Sequence, residues 1–250
     1  MNAVILGILG LVTGLFSGSL LFNDDSISPR AEEVRVQENS GVEVASADYV
    51  SMRPEIMKIE KSDLSAAERE GLLFMREEEK LARDVYITLY ETWGNQIFAN
   101  IAQSEQTHTE AVRQLLEKYS ITDPVSDDTV GQFVNPEFSK LYTDLVAKGN
   151  TSEVEALKVG ALIEDLDIKD LNERISQTDN DDIKRVYENL LRGSRNHLRA
   201  FDKQLRNQGA TYEPEYISKE EFETVIKAPQ EQGTGSGWGG RDGNGRQGGR

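Results

Sequence analysis

Ser104-Glu105-Gln106-Thr107-His108 lies inside an apolar stripe that runs Ile97, Ile101, Glu105, His108, Val112, Leu115, Tyr119. Steps of three and four residues keep all seven on one side of a 3.6-residue helix, so an acid and an imidazole point where hydrocarbon is expected. Burying a carboxylate without a partner is costly, and a metal ion is the usual compensation where a Glu precedes a His by three residues. In a chain with 44 acids a lone Glu-x-x-His is a weak signal. Its meaning depends on the neighbouring helices.

Upstream, Ser65-Ala66-Ala67-Glu68 is a capping box that opens the first long helix. The stripe of this helix is Met75, Glu79, Ala82, Tyr86, Leu89 and Trp93, again with an acid in the apolar face. Glu78 falls on the adjoining stripe with Phe74, Leu81 and Val85, whereas Glu77 aligns with Lys80 and Asp84 and is expected to face water. Gly94 stops the helix and Asn95 caps the next, which predicts an antiparallel hairpin.

Downstream, a connection of about 30 residues is long enough to cross from one end of a bundle to the other. It carries its own short helix, from a cap at Asn135-Pro136 to a stop at Lys148-Gly149. Asn150 with Glu153 is expected to cap a third long helix with the stripe Val154, Leu157, Ala161, Glu164, Ile168, Leu171, Ile175. Asp167 follows Glu164 by one turn on nearly the same face. Thr178-Asp179 is expected to start the fourth helix, whose stripe is Ile183, Val186, Leu190, Ser194, His197, Phe201, Leu205. A second capping box, Ser218-Lys219-Glu220-Glu221, begins a short C-terminal helix ending near Ala228-Pro229.

The 250-residue chain has a formal net charge of −16, which argues against nucleic acid as a partner and suits cations. It contains no Cys, so any bound metal must use oxygen and nitrogen ligands, and its two His are both on the stripes above. Residues 3–22 are uncharged and apolar, an export signal or a single membrane anchor that would place the domain outside the cytoplasm. Gly10, Gly14 and Gly18 give that run a small-residue face on which a second copy could pack as a homodimer. Residues 24–60 read as a polar spacer, 61–228 as the folded domain and 229–250 as a Gly-rich flexible tail.

Four helices thus place Glu79, then Glu105 with His108, then Glu164 with Asp167, then His197 at the middle of apolar faces. The array resembles the ferritin-like superfamily, whose di-iron or di-manganese sites use a Glu from each of two helices and Glu-x-x-His from the other two. Glu79-Lys80-Leu81-Ala82-Arg83-Asp84-Val85-Tyr86 is similar to the first metal helix of rubrerythrins, with Arg four residues and Tyr seven residues after the Glu. From about Leu64 to Tyr212 the chain resembles an uncharacterised prokaryotic branch of that superfamily.

The resemblance implies an all-α fold: a ferritin-like four-helix bundle with a long crossover carrying a short extra helix, plus the C-terminal helix. It also implies a dinuclear centre of two iron ions, for which manganese is an alternative. Glu79 and His108 would bind one metal, Glu164 and His197 the other, and Glu105 would bridge, with Tyr86 over the site as the catalytic side chain. The activity expected is that of an oxidoreductase acting on Fe(II), peroxide or dioxygen, supplied by an external electron donor because no Cys provides an internal one. A non-catalytic iron-binding or sensing module and a metal-free helical scaffold are the alternatives. One departure from the family pattern is serious: the fourth helix reads Ser194-Arg195-Asn196-His197, with Ser where the acid belongs. Asp167 is the candidate substitute ligand, and Ser194 is then expected to hold a water or orient His197.

Overall fold

The computed structural model describes residues 58–232, and among these every regular element is helical. The helices are α1 (Ala66–Trp93), α2 (Gln96–Lys118), α3 (Pro136–Gly149), α4 (Glu153–Gln177), α5 (Asp181–Asn207) and α6 (Lys219–Lys227). The apolar run 3–22 and its Gly face, the spacer up to residue 57 and the tail from residue 233 lie outside the described residues. Among the described residues no helix is long and apolar enough to cross a membrane.

The ends of the helices follow local chemistry. Ser65 and Glu68 make the capping box reciprocally, Glu68 N–H donating to Ser65 Oγ at 3.2 Å and Ser65 N–H to Glu68 Oε2 at 2.8 Å. Gly94 terminates α1 with a φ of 64°, left-handed backbone that only Gly adopts without strain, and its N–H donates to the Tyr90 carbonyl. Asn95, Asn135 and Ser218 cap α2, α3 and α6 as expected. Two expectations shift. Ser152, not Asn150, caps α4 by accepting from Glu155 N–H, and Asn150 instead closes α3. At α5 the N-cap is Asn180, whose side chain makes no cap bond, while Thr178 Oγ1 accepts from the Asn180 N–H in the turn before it.

Polar contacts at the helix ends fix the directions. Thr178 and Asn180, between α4 and α5, donate to Glu68 Oε1 at the start of α1 at 2.6 and 2.8 Å, and Trp93 Nε1 at its end donates to Gly149 O near the start of α4. Tyr119, just past α2, donates to Asp182 at the start of α5. Helix α1 is therefore antiparallel to α4, and α2 to α5. Since α1 and α2 form a tight hairpin, α2 and α4 run the same way. The segment between them must return along the length of the molecule, and α3 on that return packs on both α1 and α4.

The returning segment corrects one expectation. Glu77, Lys80 and Asp84 do not face water; all three are buried, because the crossover covers that face of α1. Glu77 Oε1 accepts from Val134 and Asn135 N–H at 2.9 and 3.1 Å, Arg76 binds Asp123, and Arg83 reaches both Asp84 and Asp128 at 2.8 Å. Lys80 pairs with Asp84, donates to Thr129 O and lies over the Phe133 ring, and Asp84 also accepts from Gly131 N–H. A polar helix face thus meets a polar segment whose backbone donors need acceptors. The packed unit also runs past the expected boundary at 228, since the Glu231 carboxylate pairs with Arg195 and Arg199 of α5.

Candidate metal centre

The stripes converge. Apolar residues on both sides of the expected acids face inward, and the centre is closed toward the α1–α2 turn by Tyr86, Phe98 and Phe201, with ring centroids 5.5–6.4 Å apart. Phe201 lies so close to α4 that a Cβ at Gly160 would sit 2.4 Å from its ring. In the other direction Leu72, Met75, Val112 and Leu115 are fully or almost fully buried. Between these layers lie Glu79, Glu105, His108, Glu164, Asp167 and His197, the most exposed of them being the two His at 7%.

Among the described residues two groups of three side chains have donor atoms mutually within 4.8 Å: Glu79, Glu105 and His108, and Glu105, Glu164 and His197. Glu105 belongs to both. Its Oε2 is 2.6 Å from His108 Nδ1 and its Oε1 is 2.8 Å from His197 Nδ1, while Glu79 Oε2 is 3.3 Å from His108 Nδ1 and Glu164 Oε2 is 3.4 Å from His197 Nδ1. The rings stack at 5.6 Å. These separations are short, yet both carboxylate oxygens of Glu79 and of Glu105, Glu164 Oε2 and both Nδ1 atoms lack hydrogen-bond geometry. Atoms that are close without an aligned N–H···O are arranged as lone pairs directed at a shared point would be.

Electrostatics agree with a site short of positive charge. Burial pushes the Glu79 carboxyl up to about 7, and Glu164 is also raised, first by burial and then by the Glu105 charge despite His197. Burial opposes charge on both rings, but Glu105 and Glu79 hold His108 well above the ordinary range, and Glu105 with Glu164 hold His197 at about 9. For Glu105 burial is outweighed by the two imidazoles, and its carboxyl is lowered.

Asp167 is buried among the acids but belongs to neither group of three. Both its oxygens are unpartnered, and burial, then Glu78, Glu79 and Glu164, raise its carboxyl strongly. Tyr86 is fully buried and donates to Glu164 Oε1 at 2.6 Å and to Gly160 O at 3.3 Å; burial and the Glu164 charge keep its phenol protonated. Of the two roles expected of Ser194, orienting His197 is corrected: its hydroxyl donates to Leu190 O one turn back and makes no bond to His197. Ser104 takes that place, its Oγ lying 3.0 Å from His197 Nε2.

Four contributors were missed. Ser104 opens the decisive pentapeptide but carried no expectation, because a Ser mid-helix more often back-bonds to its own chain. Gly193 makes room for His108: a Cβ there would lie 2.5 Å from its Cε1 and 2.6 Å from its Nε2. Glu78 and Asp170 carry buried, unpartnered oxygens beside Asp167, and burial with the Asp170 charge raises Glu78. The position of Glu78 beside the apolar stripe was the one signal for it.

A family model described as "Uncharacterized protein domain (DUF2202)" matches residues 68–229. The chain is similar to "Uncharacterized protein MJ0754" of Methanocaldococcus jannaschii, at 61% identity over 186 residues, 74% of this chain and 97% of that protein. It is likewise similar to the crystal structure of hypothetical protein MJ0754 from Methanococcus jannaschii, with a TM-score of 0.69 and 61% identity over 70% of this chain and 99% of the other.

Proposed function

The chain belongs to the DUF2202 family of uncharacterized protein domains, and from its own buried side chains we propose that it is a ferritin-like four-helix bundle holding a dinuclear, carboxylate-bridged metal centre, with iron as the metal, and acting as an oxidoreductase. The observation that carries this reading is the pair of buried three-residue groups sharing Glu105, with oxygens and both Nδ1 atoms left unpartnered. Donors of this kind, carboxylate oxygen and imidazole nitrogen without sulfur, suit iron and manganese. Glu79 with His108 would hold one ion and Glu164 with His197 the other. Asp167 would supply the fourth carboxylate that Ser194 does not. When bound, an iron pair supplies one-electron oxidation and reduction at each ion, the chemistry needed to act on Fe(II), peroxide or dioxygen.

The protein's own residues prepare the site for that chemistry. Ser104 beside Nε2 of His197 favours the tautomer with its proton there and Nδ1 free to bind. Tyr86 keeps its proton on Oη, aimed at Glu164, where it can donate to an oxygen arriving at the centre. The aromatic layer and the core on the far side keep bulk water away.

One observation favours a metal-free scaffold: imidazole and carboxylate at 2.6 and 2.8 Å can satisfy each other's charge. It accounts for Glu105 but leaves Asp167 buried without a hydrogen-bond partner. Elemental analysis of the full chain from iron-supplemented cells decides between them, with iron expected and its absence favouring the scaffold. Reduced, iron-loaded protein is expected to consume peroxide or dioxygen. If it retains iron and consumes neither, an iron-binding or sensing module replaces the oxidoreductase.

The apolar run 3–22 supports the further proposal that the domain is exported or membrane-anchored, outside the cytoplasm. Cell fractionation that finds the full chain soluble in the cytoplasm would remove it.

A further inference from the structure

A groove of about 1040 Å³ opens between the first half of α2, the second half of α5 and the segment carrying α6. Ser104, Gly193 and His197, all buried, form its inner wall. The edge of the His197 ring that meets Ser104 therefore faces the groove, and Nδ1 on its other side faces Glu105 and Glu164. A molecule resting on this wall is separated from the centre by one imidazole.

The groove is far larger than the small substrates need. A water molecule takes roughly 30 Å³ and peroxide little more, whereas clefts of about 300–1,000 Å³ hold organic ligands. Its lining inverts the charge of the chain. In a protein of net charge −16 it presents Arg199, Lys203, Arg206 and Lys227 against one carboxylate, Asp202. Arg199 is committed to Glu231, Arg206 to Asp202 and Lys227 to Glu223, but Lys203 is exposed and makes no ion pair among the described residues. Apolar Ile101, Ala200 and Ile226 alternate with Asn100, Asn196 and Gln204, whose amides offer donors and acceptors together. Apolar faces, an amide edge and a cationic rim match a flat heteroaromatic ring with its own N–H and C=O edge and an attached phosphate.

We propose that this groove seats the external reductant, a phosphate-bearing heteroaromatic of the reduced flavin mononucleotide class, with its ring on the Ser104–His197 wall and its phosphate at Lys203. This rests on the oxidoreductase reading above for its purpose. The reduced ring gives up two electrons and two protons and becomes oxidised flavin. An iron pair held by the centre would take those electrons, one at each ion, with His197 between it and the ring, while the protons leave to solvent. With no Cys the chain has no thiolate-bound electron carrier of its own, so the reducing equivalents come from outside it.

The test uses metal-free, full-length protein and oxidised FMN, followed by flavin fluorescence, so that it does not depend on metal content. FMN is expected to bind, riboflavin roughly tenfold or more weakly because it lacks the phosphate, and Lys203→Glu to weaken FMN by a similar factor without changing the helical circular dichroism. Ala200→Trp, which fills the groove, is expected to abolish binding. Failure of FMN to bind at about 1 mM, equal binding of FMN and riboflavin, or unchanged affinity in Lys203→Glu each overturns the proposal. Iron content of the same preparation, measured separately, distinguishes its failure from failure of the metal centre.

Discussion

Ser104 and Gly193 show how much of a buried site rests on residues that bear no charge. Ser104 orients His197 through Nε2, and Gly193 leaves the space that the His108 ring fills. Ser104→Ala removes the orienting hydroxyl and is expected to lower affinity for the ion at His197 by roughly 10–100-fold, the usual cost of losing an outer-shell partner. Gly193→Ala is expected to displace His108 and weaken the other ion. Fe(II) titration of each variant checks both, and equal loss at the two sites in either variant would contradict the assignment. Asp167→Asn keeps the volume and removes the charge, so it is expected to weaken the ion held by His197 while sparing that at His108; two equivalents bound as tightly as in the parent would remove Asp167 from the site. The charged members were legible because acid or imidazole within an apolar stripe is a visible contradiction. Ser104 and Gly193 contradict nothing in sequence, and their roles come from the neighbouring helix.

At the scale of elements, the cap at Ser65, the stop at Gly94 and the proline-led start of α3 were readable because each depends on residues within one turn. The burial of Glu77, Lys80 and Asp84 was not, since it depends on the crossover folding back over α1 from some 50 residues away. That face holds its charges by mutual pairing. Asp84→Ala would leave Lys80, fully buried, facing Arg83 without its carboxylate, at an expected cost of about 3–5 kcal/mol. Lys80→Met is expected to cost much less, because Asp84 keeps Arg83 and the Gly131 N–H. Urea denaturation of the two variants measures the difference, and equal losses would mean that the network does not clamp the crossover.

The whole molecule carries its central charges into a core that protons must fill when metal does not. Burial lowers His197, but Glu105 and Glu164 outweigh it and hold the ring at about 9, against an ordinary 6.5. A folded pKa above the unfolded one gives stability that is full below about 6.5 and lost as pH rises through about 9. Glu79, raised by burial from 4.5 to about 7, acts in the same direction at lower pH. Metal-free protein is therefore expected to melt at falling temperature between about pH 6 and 9, and bound metal, which displaces those protons, to hold the melting temperature up. A metal-free melting temperature that is flat over this range would contradict the protonated core. The most direct test of the centre itself is to load the full chain anaerobically with Fe(II), desalt it and count the iron. The account predicts about two ions per chain, and loss of most of them in His108→Ala; a native protein that retains none would contradict it.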